Sequence, residues 1–291
     1  MRTSVRTVSS VGVSLLLLMF LATDVSVTGR EGTAPGEHVG ISLAPSVVTL
    51  AGEPGQAHRQ TLRLTNHTTR ELAFRLAAQD VVAHDGRRAF IAAGELSGSI
   101  AATAVFSPRE IVIPPGAVGV ADITVTVPAG TAVRGVAAIF RGHTVVGSQN
   151  GVAMTASLGA LITFRLSNDV RLDAGPPEVS PQTATDNLSI SEWVSNAGSE
   201  PVVASGAAAL LNEAGVLVGK VPVEPQRLMP GERLSFKAEY PSLLQPGRYR
   251  ALLSLEYDAN ERKVLTRTAE FVVSSADDDD RDPARGADLR R

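Results

Sequence analysis

The feature that most constrains the fold is a strand-period alternation cut by Pro-Gly turns, and it occurs twice. From Arg109 to Phe140 the chain reads REIVIPPGAVGVADITVTVPAGTAVRGVAAIF, and from Arg227 to Tyr257 it reads RLMPGERLSFKAEYPSLLQPGRYRALLSLEY. In the first passage Ile123, Val125 and Val127 alternate with Thr124 and Thr126. In the second, Leu234, Phe236, Ala238 and Tyr240 alternate with Ser235, Lys237 and Glu239. A period of two sends successive side chains to opposite faces, the pattern of a half-buried strand. Proline cannot donate to a sheet ladder and glycine accepts the positive φ of a tight turn, so each Pro-Gly pair ends a strand.

The same grammar runs through most of the chain. Leu62 and Leu64 oppose Arg63 and Thr65, and Leu72, Phe74 and Leu76 form another face. Asp85-Gly86 predicts a hairpin between Val81-Val82 and Phe90-Ile91. Ile41–Leu50, interrupted at Pro45, predicts a strand at a sheet edge. Met154–Leu166 predicts a long strand, with a helix as the rival reading that Thr155, Ser157, Thr163 and Gly159 disfavour, and Val202–Leu211 is expected to pair with Val216–Val223 through the turn Asn212–Gly215. Each half thus carries about seven short strands and no convincing helix. The fold class is all-β: two tandem immunoglobulin-like β-sandwich domains.

The length, 291 residues, suits two domains. Arg2 and Arg6, followed by the apolar run Val11–Leu21 and then small residues, read as an export signal over residues 1–29. The run is about half of what a bilayer crossing needs, so the segment meets a membrane only if it stays uncleaved. Residues 39–170 are expected to form the first domain, 171–186 a proline-rich linker, and 187–274 the second domain. Residues 275–291, SADDDDRDPARGADLRR, have nothing to build a core and predict a disordered tail.

The net charge of -3 offers no basic excess for nucleic acid. The absence of cysteine removes disulfides, thiol nucleophiles and Cys-ligated metals. The five histidines show no metal-ligand spacing, and no GxSxG, GxGxxG or HExxH motif occurs. GVLVGKV at Gly215–Val221 is one residue short between its glycines for a phosphate loop, and Val221 stands where a hydroxyl is needed. Consecutive aspartates at Asp277–Asp280 lack the alternate spacing of a calcium loop. No catalytic residue, cofactor or metal site is therefore assigned, and no enzyme activity is expected.

One ordered set of features carries a family resemblance: the Pro54-Gly55 turn, LRLTN at Leu62–Asn66, VVAHDGRRAF at Val81–Phe90, and IVIPPG…ITVTVP…RGVAAIF at Ile111–Phe140. It resembles the N-terminal domain of bacterial WxL-interacting cell-surface proteins, described as peptidoglycan-binding. The resemblance implies a second immunoglobulin-like domain, here Asn187–Val273, and a partner that is peptidoglycan or another cell-surface protein. Members of that family end in a transmembrane helix and a basic tail, where this chain has an acidic and arginine-rich stretch. No family binding residue is transferred.

For binding, the sequence singles out Ile111, Val112 and Ile113, an apolar triplet beside two prolines, as a candidate partner edge strand. Loops at Gly94–Thr103 and Gly142–Gly151 are further candidates. The expected function is that of an exported, non-enzymatic envelope protein, in the periplasm or at the cell surface of a bacterium, binding cell-wall glycan or a surface protein. The alternative is a periplasmic pilus-chaperone-like module acting by strand exchange in surface-fibre assembly.

Overall fold

The computed structural model describes residues 40–142, 157–180, 187–241, 243–258 and 261–274. The expected signal segment, the loop from residue 143 onward and the acidic tail from residue 275 lie outside the described residues. Their regular elements are all strands, apart from one 3-10 turn at Ala101–Thr103.

The first sandwich packs two sheets. One contains, in order, β1 (Ile41–Ala44), β3 (Ala57–Asn66), β8 (Val118–Thr126) and β6 (Val105–Ser107). The other runs β2 (Val47–Ala51), β10 (Ser157–Arg165), β9 (Gly135–Gly142), β4 (Leu72–His84) and β5 (Arg87–Ala92). In it β7 (Glu110–Ile113) also pairs with β4. Ile41–Leu50 does lie at sheet edges, and at two of them: the chain leaves one sheet at Pro45 and joins the other. The alternation read from sequence is the core pattern. Leu62, Leu64, Phe74, Ile123, Val125, Phe140, Ile162 and Phe164 are buried between the sheets. Asp85 and Gly86 take positive φ of 50° and 74°, the hairpin geometry that this dipeptide favours.

The second sandwich is built the same way. β13 (Leu188–Asn196) pairs with β11 (Leu172–Ala174), β12 (Glu178–Ser180) and β16 (Arg233–Tyr240). The facing sheet runs β15 (Leu217–Leu228), β14 (Val202–Asn212), β17 (Gly247–Tyr257) and β18 (Lys263–Val273). Ile190, Val194, Leu210, Phe236, Leu253 and Leu255 lie at its centre.

The linker expectation for 171–186 needs correction. Leu172–Ala174 and Glu178–Ser180 are strands of the second sandwich, and Val170 and Leu172 already belong to its core. The prolines at 176 and 177 misled: they sit between two strands, each too short to show a period. The strand Val105–Ser107 was likewise illegible beside Pro108.

The two sandwiches belong to one compact unit, and an apolar plug joins them. Met229, wholly buried, packs on Val81 and Ala137, with Ile139 and Leu161 beside them. Its methyl group lies 2.7 Å from where a Cβ on Gly135 would stand, so a side chain there would push the methionine tip aside. Three buried carboxylates also pair across the two sandwiches. Glu232 pairs with Arg88 at 2.8 Å, Glu200 with Arg134 at 3.2 Å, and Asp258 with Arg165 at 3.3 Å. In each pair the arginine comes from the first sandwich. Breaking such a pair by removing one partner strands a charge and costs about 3–5 kcal/mol.

Candidate partner-binding edge

A sheet edge can take up a further strand only where main-chain N–H and C=O groups point outward unpaired. Natural sheets block such edges with proline, charge or shortness. In this chain β5 carries Arg87 and Arg88, and β15 carries Lys220, Pro222 and Pro225. β16 carries Arg233, Lys237 and Glu239, and β18 carries Lys263, Arg267 and Glu270. β1 and β6 are followed by Pro45 and Pro108. β2 is five residues long, with the Arg227 guanidinium donating to Thr49 Oγ1 at 2.9 Å.

The upstream half of β10 has neither a charge nor a proline. β2 covers β10 only from Leu161 to Arg165, whereas β9 pairs with it from Ser157 to Thr163. Hydrogen-bonded pairs alternate along an antiparallel ladder. Phe164 N–H donates to Arg134 C=O at 2.8 Å, so the even-numbered residues of β10 bond to β9. The odd-numbered residues face outward, as Leu161 N–H shows by donating to Ser46 C=O at 2.9 Å. Ser157 and Gly159 therefore present their N–H and C=O groups at the edge, and no described strand lies opposite them. Ser157, Leu158, Gly159 and Ala160 include no charge and no proline.

Beside this edge the outer face of the same sheet forms an apolar groove of about 420 Å3. Phe90, Ala137, Ile139 and Leu161 line it, with Gln79 and Arg88 at the margin. Phe90 is 54% exposed, a large aromatic surface for a position with no covering element. The groove continues the patch that Met229 covers, because Ala137, Ile139 and Leu161 border both.

The charge at the inner end is unbalanced. Arg88 is neutralised by Glu232, but among the described residues Arg227 finds only hydroxyls, Thr49 Oγ1 at 2.9 Å and Thr163 Oγ1 at 3.3 Å. Burial, and then the neighbouring Arg88 charge, lower the Arg227 pKa. Arg88 and Arg227 thus share the single nearby carboxylate of Glu232 among the described residues.

The residues singled out from sequence fall elsewhere. β7 is an edge strand, and Leu76 N–H donates to Arg109 C=O, which turns Ile111 and Ile113 toward β4 and leaves Glu110 and Val112 outward. The side chains of Ile111 and Ile113 are core residues, 9% and 1% exposed, while Val112 is 55% exposed. As an edge β7 is four residues long, contains Glu110 and is flanked by Pro108 and Pro114. The Gly94–Thr103 loop is a packed structural element. Ile100 and Ala101 are buried, Ala101 N–H donates to Asp80 Oδ1, and Ser99 Oγ accepts from Gly94 and Ala102 N–H. Of the other loop candidate, only Gly142 is described. Among the described residues no cluster of three metal-binding side chains occurs.

No family model matches the sequence, and no curated protein matches it. Solved structures are similar in overall course. The class 5 fimbriae chaperone CfaA matches at 10% identity over 81% of this chain and 99% of its own, with a TM-score of 0.41. The E. coli chaperone DraB matches at 11% identity over 80% and 99%, with a TM-score of 0.38. A chaperone–tip adhesion subunit pre-assembly complex, CsuC–CsuE of Acinetobacter baumannii, matches at 9% over 81% and 99%, with a TM-score of 0.39.

Sequence reading missed the β10 edge and the arginine pair. A signal for the first was present: Met154–Phe164 is a long alternating stretch with neither charge nor proline. Which of its sides is uncovered depends on where β2 stops, and that pairing joins residues more than 100 positions apart.

Proposed function

We propose that this protein is an exported, non-enzymatic binding module that takes up an extended segment of another envelope protein along the free edge of β10. The observation that carries this reading is the outward N–H and C=O groups at Ser157 and Gly159, on an edge stretch without charge or proline that opens onto an apolar groove. Main-chain hydrogen bonds would give affinity, and alternate side chains of the incoming strand would enter the Phe90–Ile139–Leu161 groove to give selectivity. An acidic group on that segment would meet Arg227 at the inner end. The expected export signal over residues 1–29 would put the encounter outside the cytoplasm, and the solved structures of similar course include fimbrial chaperones, one bound to a tip subunit. The reading favours a strand-exchange partner over cell-wall glycan, since the groove offers apolar side chains rather than a polar cradle.

Gly159→Pro tests it. The Gly159 N–H faces outward, so proline removes an edge donor without touching the β9 ladder, and a Cβ there meets nothing closer than Ala138 O at 3.8 Å. The mature protein immobilised in envelope extract should retain a protein that the Gly159→Pro variant does not. Equal capture by both, or retention by purified peptidoglycan alone, would refute the proposal.

A further inference from the structure

The inward face of β13 carries one residue that its counterpart in the first sandwich does not. β3 and β13 end in buried asparagines, Asn66 and Asn196, and the inward positions before them are Leu62 and Leu64 in one and Glu192 and Val194 in the other. A fully buried leucine is thus replaced by a carboxylate that is 2% exposed, with neither oxygen hydrogen-bonded. Burying an unpaired carboxylate as an anion is costly, and such a group favours its neutral form.

The surroundings of Glu192 hold one available countercharge. β16 turns Phe236 and Ala238 inward and keeps Arg233, Lys237 and Glu239 outside. β17 turns Ala251, Leu253 and Leu255 inward, with Tyr249 and Tyr257, and keeps Arg248, Arg250 and Glu256 outside. On β12, Glu178 is exposed. β18 turns Lys263 and Arg267 partly inward, but Lys263 is held at 2.9 Å by Glu261, with Asp258 at 3.9 Å. Arg267 remains, and it is the charge that acts on Glu192. Arg267 is already employed: its Nε donates to Ala174 C=O at 2.8 Å, and Asp173 lies 3.7 Å from its guanidinium. Both contacts are on β11, so Arg267 ties this three-residue strand to the opposite sheet.

We propose that Glu192 and Arg267 form a proton-controlled latch on the β11–β12 segment, residues 172–180. With Glu192 neutral, Arg267 stays on Ala174 and Asp173 and the segment is clamped. When Glu192 ionises, its carboxylate draws the Arg267 guanidinium inward. The bond to Ala174 is given up, and the segment loses its tie to β18. Desolvation raises the Glu192 pKa to about 7, opposed by the Arg267 charge, so the exchange falls in the neutral range that an exported protein meets. The segment follows directly on the stretch joining the sandwiches, where Lys263 donates to Val170 C=O, so the latch sits at the inter-sandwich joint.

Hydrogen exchange of the mature protein, followed by mass spectrometry from pH 5.5 to 8.5 and corrected for the intrinsic pH dependence of exchange, tests the latch. Peptides covering 172–180 should exchange about tenfold faster above pH 7.5 than below pH 6. Glu192→Gln should hold them slow at every pH, and Arg267→Gln should leave them fast at every pH. A Glu192→Gln profile that follows the parent, or an Arg267→Gln variant still clamped at low pH, would overturn the proposal. So would a Glu192 carboxyl carbon that titrates by NMR near 4.5.

Discussion

The two Pro-Gly turns that mark the sequence are one structural device used for different ends. In the first sandwich Asn66 Nδ2 donates to the carbonyls of Arg70 and Ile113, and its Oδ1 accepts from Thr68 N–H. In the second, Asn196 Nδ2 donates to Glu200 and Leu228, and its Oδ1 accepts from Gly198 N–H. The main chains match as well. Gly116 and Gly231 donate to the asparagine carbonyls, and the asparagine N–H groups donate to Ala117 and Glu232. Met229 and Glu232 therefore stand where Pro114 and Ala117 stand in the other copy. The first turn ends in solvent with Pro114, Pro115 and Gly116 exposed, whereas the second drives Met229 into the first sandwich and pairs Glu232 with Arg88. The scaffold is shared, and two side chains convert a turn into a joint.

This comparison can be broken most severely at Glu232. Glu232→Ala leaves Arg88 without its carboxylate and Met229 N–H without an acceptor, and should cost about 3–5 kcal/mol in denaturant unfolding. If the loss were below about 1 kcal/mol, the joint would not depend on the pair. Asn66→Ala leaves three carbonyls and an N–H short of a partner, Asn196→Ala two carbonyls and an N–H, and each should cost about 3 kcal/mol. Similar losses at the two sites would show the device to be common to both sandwiches; a loss at only one would undo the equivalence.

The pH dependence separates the sandwiches in the same way. Glu192, whose pKa rises from 4.5 to about 7 on folding, adds stability that is fully present below about 4.5 and lost as pH rises to 7. At about 1.4 kcal/mol per unit the total is about 3 kcal/mol. Glu192→Leu, which copies Leu62, should remove this slope and raise stability at pH 8, read from unfolding midpoints at the two pH values. At the small end, Pro114→Ala should change stability by no more than about 0.5 kcal/mol, against about 2–4 kcal/mol for Met229→Ala.

The architecture was legible because its information is local. Alternation fixes which residues face inward, and Asp85-Gly86, Pro115-Gly116 and Pro230-Gly231 fix where strands turn. The site was not legible, because it is made of what is missing opposite a strand. β7 looked like an edge from its prolines and is one, and those prolines and Glu110 are features that guard an edge. β10 looked like a core strand and is one on Ala160, Ile162 and Phe164, while its open side depends on β2 stopping at Val47. Arg88, Arg227 and Glu232 come together only through the docking of the two sandwiches.

Photo-crosslinking from defined edges tests the central claim most directly. A photoreactive residue is placed at Ser157, at Val112 on β7 or at Val264 on β18, and the mature protein is irradiated in envelope extract. The account predicts a discrete protein adduct from Ser157 and none from the other two positions. An adduct from Val112 or Val264 with none from Ser157 would contradict it.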